Sequence, residues 1–108
     1  MASWIVPGRH PELGPGELHV WRCDLDACAA KAASHRWPLS AGERERASRF
    51  LFEVDRRRFT AARSALRTIL AGYTDHDPAD LAFEENRHGK PRLADVWNAR
   101  DVRFNVSH

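Results

Sequence analysis

Apolar residues recur at helical spacing most clearly between Asp55 and Tyr73, where Phe59, Ala62, Leu66, Ile69, Leu70 and Tyr73 make one stripe. The pattern predicts a long helix that packs on a core through this stripe and is ended by Gly72, Thr74 and Asp75. Arg56, Arg63 and Arg67 fall on a second stripe about a quarter-turn round. Arg58 flanks the apolar stripe on its other side. Two roles fit such arginines. Their stems can lie over the core while their heads pair with Glu or Asp, or the guanidinium groups can border a cleft.

Upstream, Ser40-Ala41-Gly42-Glu43 has the spacing of a capping box and opens a charged helix, Ala41 to about Phe52. Its large apolar residues, Phe50, Leu51 and Phe52, come at its end, and Arg44, Arg46 and Arg49 read as a solvated face. Glu17 to Cys23 alternates, with Leu18 and Val20 on one side and His19, Trp21 and Cys23 on the other, which predicts a central strand. Asp24 to His35 is Ala-rich and predicts a short helix capped by Asp24 and stopped at Trp37-Pro38. Residues 1–16 carry Pro7, Gly8, Pro11, Gly14, Pro15 and Gly16 and read as a loose N-terminal arm.

Downstream, Leu81 to Glu84 reads as a strand, Asn86 to Pro91 as a turn and Arg92-Leu93 as a short return strand. A polar loop follows from Asp95 to Asp101. Val102 to Val106 alternates again and predicts a final strand with Val102, Phe104 and Val106 facing the core. The order of strand, helices and strands predicts an α+β fold, a small antiparallel sheet packed on the long helix.

Length and charge narrow the reading. The 108 residues suit one small domain or half of a larger one, and 43% hydrophobic with 30% charged residues is a globular composition. The net charge of +2 is too small for a general nucleic-acid binder, and the arginine helix lacks interleaved aromatic residues. Arginine is concentrated locally, at positions 44, 46, 49, 56, 57, 58, 63 and 67, which points to a discrete anionic partner. Cys23 and Cys28 make no disulfide framework, and with His10 or His35 they match no common zinc-site spacing. No apolar run is long enough to cross a bilayer and no signal peptide is visible, so a cytoplasmic protein is expected.

The chemistry concentrates in His88 to His108. His88-Gly89-Lys90-Pro91 offers a turn at which backbone can approach a ligand, a point charge and a fixed exit direction. Phe104-Asn105-Val106-Ser107-His108 brings a hydroxyl and an imidazole to the end of the last predicted strand. Together they suit an anion.

These pieces, in this order, resemble the N-terminal half of the Sfp-type 4′-phosphopantetheinyl transferases. Leu39-Ser40, Glu43 and Arg49-Phe50 stand in the family's L-S-x-x-E-x-x-x-x-x-R-F helix. Asp55-Arg56-Arg57-Arg58-Phe59 follows, with Arg63, Leu66 and Arg67, and then Gly89-Lys90-Pro91 and the closing Ser107-His108. The resemblance covers roughly Leu18 to His108. It implies one pseudo-symmetric half of the transferase fold and transfer of the phosphopantetheine arm of coenzyme A to a serine of an acyl or peptidyl carrier protein. Magnesium assists, and fatty-acid, polyketide or nonribosomal peptide synthesis is served. It further implies that His88, Gly89, Lys90, Pro91, Arg92 and Leu93 form a coenzyme A wall. Arg46 and Arg58 would lie near the 3′-phosphate, and Ser107 and His108 would meet the phosphates.

The sequence departs from the family pattern at two positions: Glu43 stands where relatives often have a basic residue, and Phe59 where some have Thr. The family's magnesium-binding acids and its catalytic Trp-x-x-Lys-Glu motif follow the Ser-His motif. No catalytic residue and no metal ligand is therefore expected in this chain, which should be inactive alone and need a C-terminal half in cis or in trans. An exposed half-interface should favour self-association. The alternative is a non-catalytic binding or assembly module whose arginine face takes an acidic carrier protein or another polyanion.

Overall fold

The structure, a computed structural model, describes residues 12–26 and 38–107. Among the described residues from Ala41 onward, two helices, a two-stranded hairpin and a 3-10 turn follow one another: α1 at Ala41–Ser48, α2 at Glu53–Thr74, β1 at Phe83–Glu85, β2 at Pro91–Leu93, and the turn at Asp95–Trp97. The α+β expectation holds.

The capping box forms as its spacing predicts. The Ser40 hydroxyl accepts from the Glu43 N–H (3.1 Å), and a Glu43 carboxylate oxygen accepts from the Ser40 N–H (2.9 Å). The helix it opens stops at Ser48, four residues before the predicted end. The Arg49 and Phe50 N–H groups bond back three residues, to Arg46 and Ala47, which closes the last turn. Phe50 then turns its ring onto Phe59, with ring centroids 5.4 Å apart. Leu51 and Phe52, in the link to α2, are exposed.

At 22 residues, α2 is about 33 Å long and carries the core. Its start has no side-chain cap, but Glu53 and Asp55 in the first turn suit the positive end of the helix dipole. Gly72 lies inside the helix. Asp75 closes it in a left-handed conformation (φ 59°), its N–H reaching the Ala71 carbonyl, and Arg100 donates to the Tyr73 carbonyl in the same last turn.

The buried face of α2 is rotated from the predicted stripe. Leu70 and Tyr73 are buried, but Phe59, Ala62, Leu66 and Ile69 are half-buried, while Ala61, Ser64, Arg67, Ala71 and Thr74 are buried. Arg67, at 2% exposure, explains the shift. Its Nε donates to a Glu43 carboxylate oxygen at 2.6 Å, and one terminal nitrogen donates to the carbonyls of Pro78 (2.9 Å) and Leu81 (2.6 Å). The other Glu43 oxygen lies 3.5 Å from Arg63, whose burial lowers its pKa. Apolar periodicity cannot detect a cation whose partners come from other elements.

The core joins Leu70, Ala71 and Tyr73 to Leu81, Leu93 and Val102, with Leu66, Ile69, Phe83, Trp97 and Phe104 packed around them. The hairpin pairs Phe83 with Leu93 on the inner face and Glu84 with Arg92 on the outer, where their side chains form an ion pair at 3.0 Å. Asn98 brackets Val102, donating to its carbonyl (2.9 Å) and accepting from its N–H (2.8 Å), and so starts the closing segment pointing inward.

Two predicted strands do not form. Residues 17–23 have no regular secondary structure and lie in no ladder: His19 and Trp21 bond the Tyr73 hydroxyl, while Leu18 and Val20 stay 86% and 68% exposed. Residues 102–106 are likewise outside any ladder, although Val102 is buried and Phe104 packs edge-on to Phe83. Val106 is largely exposed. In both segments the alternation reports which side touches the core, whereas a strand also needs a neighbour's N–H and C=O groups. The sheet of the described residues has two strands. Of the helix predicted over Asp24 to His35, Leu25 and Asp26 are helical and the Asp24 carboxylate accepts from the Asp26 N–H (3.1 Å); residues 27–37, with Cys28 and His35, lie outside the described residues, as do residues 1–11.

Replacing Arg67 by Ala strands two carbonyls and takes from the Glu43 carboxylate the nearer of its two guanidinium partners, and the expected loss of stability in denaturant unfolding is about 3–5 kcal/mol. Arg49→Ala removes the same charge from an exposed pair with Glu45 and should cost about 1 kcal/mol or less. Equal losses for the two would contradict the assigned role of Arg67.

Candidate functional site

The loop between β1 and β2 is built by Asn86. Its backbone N–H donates to the Lys90 carbonyl (3.0 Å), and its own carbonyl accepts from the Gly89 N–H (2.9 Å). Its side-chain oxygen accepts from the N–H groups of His88 (2.8 Å) and Lys90 (3.0 Å). Gly89 sits at φ +77°, the left-handed position of a three-residue hairpin loop. An added Cβ at Gly89 would meet nothing within 4 Å, so the backbone angle, and no lack of room, calls for glycine there. With the N–H groups of residues 88–90 turned to Asn86, an anion at this loop must be met by side chains.

The closing segment runs beside the loop. An open groove of about 230 Å³ is lined by His88, Gly89, Lys90 and Pro91 on one side and by Phe104, Asn105 and Val106 on the other. Residues 88–91 and 104–106 of the His88–His108 stretch are therefore brought together. Ser107 follows directly and is exposed, and His108 lies outside the described residues.

The other candidate residues stand elsewhere. Leu93 is buried in the core and lends the groove no side chain. Arg92 lies on the outer face of the hairpin, 3.0 Å from Glu84 and 3.5 Å from Asp95, and its pKa is raised by the hydrogen bond to Glu84 and by the charge of Asp95. Arg46 and Arg58 are outside the groove lining and lie on the helix pair. Arg46 places its guanidinium 5.1 Å from the centre of the Phe59 ring. Arg58 holds Asp26 through Nε (3.1 Å) and a terminal nitrogen (3.3 Å).

A column of cations and rings links these two regions. Arg46 and Arg63 lie against Phe59, Arg63 and Arg67 against Phe83, and Phe83 meets Phe104, which lines the groove. Glu43, at the position where a basic residue is common in the resembled family, points inward to Ser40, Arg63 and Arg67. Phe59, at the other departure, is the ring shared by Arg46 and Arg63.

Sequence reasoning missed three contributors. Asn86 was legible in principle, because Asn three residues before Gly is a turn signal. The stacking of Arg63 between two rings and the pairing of Asp26 with Arg58 join residues far apart in sequence, and no local pattern announces them. Among the described residues no group of three His, Cys, Asp or Glu side chains is placed to hold a metal, and no helix is long and apolar enough to cross a membrane.

Comparison with known proteins follows the same line. A family model described as 4′-phosphopantetheinyl transferase, N-terminal, matches residues 28–108. The 4′-phosphopantetheinyl transferase HetI of Nostoc is 38% identical over 98% of this chain and 45% of its own length. A phosphopantetheinyl transferase of Thraustochytrium is 35% identical over 87% of this chain and 33% of its own. The 4′-phosphopantetheinyl transferase ffp of Bacillus subtilis is 31% identical over 65% and 30%. No solved structure matches. The chain spans less than half the length of these relatives. On its motifs, its α+β fold and these matches, it belongs to the 4′-phosphopantetheinyl transferase family and corresponds to that family's N-terminal domain.

Proposed function

We propose that this chain is the coenzyme A-binding half of a 4′-phosphopantetheinyl transferase and works with a C-terminal half in cis or in trans. The observation that carries the reading is the groove that joins His88-Gly89-Lys90-Pro91 to Phe104-Asn105-Val106 in a chain of this family. In the reaction, a carrier-protein serine attacks the β-phosphorus of coenzyme A and adenosine 3′,5′-bisphosphate leaves. Phosphoryl transfer of this kind depends on holding the phosphates and offsetting their charge.

This chain's residues serve those two ends. Lys90 brings a point charge to the groove, and Asn105 and Ser107 bring polar groups from the facing segment. Arg46 and Arg58 offer planar guanidinium groups for the 3′-phosphate, where two parallel hydrogen bonds give both strength and orientation. In this reading the magnesium ligands belong to the C-terminal half, and this half's part is binding and charge neutralisation. Exposed Leu18 and Val20, on a segment outside any ladder, support a further half that covers this face. The concentration of arginine in residues 44–67 suits an acidic carrier protein as the second substrate.

Calorimetric titration should show coenzyme A binding more tightly than dephospho-coenzyme A, which lacks the 3′-phosphate. Arg58→Ala should remove about tenfold or more of that preference, as expected for a hydrogen bond between charged groups. Equal binding of the two ligands, or a preference untouched by Arg58→Ala, would refute the site. The 108-residue chain with magnesium and a carrier protein should transfer no phosphopantetheine. Turnover in a mass-spectrometric assay of the carrier would show that this half holds the catalytic groups.

A further inference from the structure

Arg58 differs from Arg49 and Arg57 in the origin of its carboxylate. Arg49 pairs with Glu45 and Arg57 with Glu53, each four residues away on the same helix. Arg58 pairs with Asp26, 32 residues away in the chain. The contact is side-on and two-pronged: Nε lies 3.1 Å from one carboxylate oxygen and a terminal nitrogen 3.3 Å from the other. Phosphate oxygens seek that same geometry on a guanidinium group.

We propose that Asp26 is a built-in competitor for phosphate at Arg58, so that its carboxylate limits how tightly the site holds the 3′-phosphate of coenzyme A. The inference rests on the phosphate-binding reading of Arg58 given above.

Four observations carry it. The Asp26 carboxylate occupies the side-on edge that a phosphate would use, and in doing so neutralises the charge that would attract one. Both side chains are open to solvent, 52% exposed for Arg58 and 70% for Asp26, so the pair is weak and can exchange. Asp55, one turn before Arg58 on α2, adds a second negative charge that acts on the same guanidinium. Arg58 in turn holds the Asp26 carboxyl below the usual carboxylate range, so the competitor stays ionised at neutral pH. A phosphate dianion arriving at Arg58 must displace this carboxylate or lie beside it, and like charges at that spacing repel. Displacement frees Asp26 from α2 while His19 and Trp21 of the same segment stay on Tyr73, so ligand binding and this one contact oppose each other.

Titration of adenosine 3′,5′-bisphosphate, coenzyme A and dephospho-coenzyme A into the wild-type chain, Asp26→Asn, Asp26→Ala and Arg58→Ala tests this. Asp26→Asn and Asp26→Ala should each raise affinity for the two 3′-phosphate ligands about two- to fivefold, the range of an exposed ion pair, and leave dephospho-coenzyme A unchanged. Unchanged or weaker binding of the 3′-phosphate ligands would overturn the inference and make Asp26 a residue that positions Arg58. An equal gain for all three ligands would overturn it as a general charge effect. If the wild-type chain shows no 3′-phosphate preference, or Arg58→Ala leaves the preference intact, the phosphate reading of Arg58 fails and the inference with it. If Arg58→Ala abolishes the preference while the Asp26 variants gain nothing, only the inference fails.

Discussion

One carboxylate holds the helix pair in place. Glu43 closes the cap of α1 on Ser40, takes the Nε of the buried Arg67 on α2, and lies within 3.5 Å of Arg63 one turn earlier. Arg67 then reaches the carbonyls of Pro78 and Leu81, so α1, α2 and the approach to β1 meet at a single guanidinium. An ion pair this deep needs further hydrogen bonds to offset its desolvation, and Arg67 gains two from backbone carbonyls through one terminal nitrogen.

From that point the order passes outward through aromatic rings. Arg63 and Arg67 lie over Phe83 on β1, and Phe83 meets Phe104 at the edge of the groove. Asn98 fixes Val102, two residues before Phe104, and Asn86 fixes the turn on the opposite side. The groove between residues 88–91 and 104–106 therefore has walls set by the core, while its polar groups stay at the surface. Arg46 and Arg58, proposed for the 3′-phosphate, sit on the helices that the clamp holds together.

Local signals in the sequence were legible where one element decides them. Ser40 and Glu43 announce the cap, the spacing of Leu66, Ile69, Leu70 and Tyr73 announces α2, and Gly89 announces the turn. What escaped depends on distant partners. Arg67 looks like a surface residue until Glu43, Pro78 and Leu81 are brought round it. Leu18 and Val20 alternate as a strand would, yet pairing requires a neighbour that the described residues do not supply. The placement of the candidate residues was legible in part: residues 88–91 and 104–106 of the closing stretch meet, whereas the pairing of Arg92 with Glu84, the burial of Leu93 and the hold of Asp26 on Arg58 could not be read locally.

The central claim is that this half of a 4′-phosphopantetheinyl transferase binds coenzyme A between its hairpin loop and its closing segment, with help from the helix arginines. Backbone amide NMR shifts on addition of adenosine 3′,5′-bisphosphate test it most directly. The account predicts shifts concentrated at residues 88–92 and 104–107 and around Arg46 and Arg58. Shifts confined to other surfaces, or none at saturating nucleotide, would contradict it.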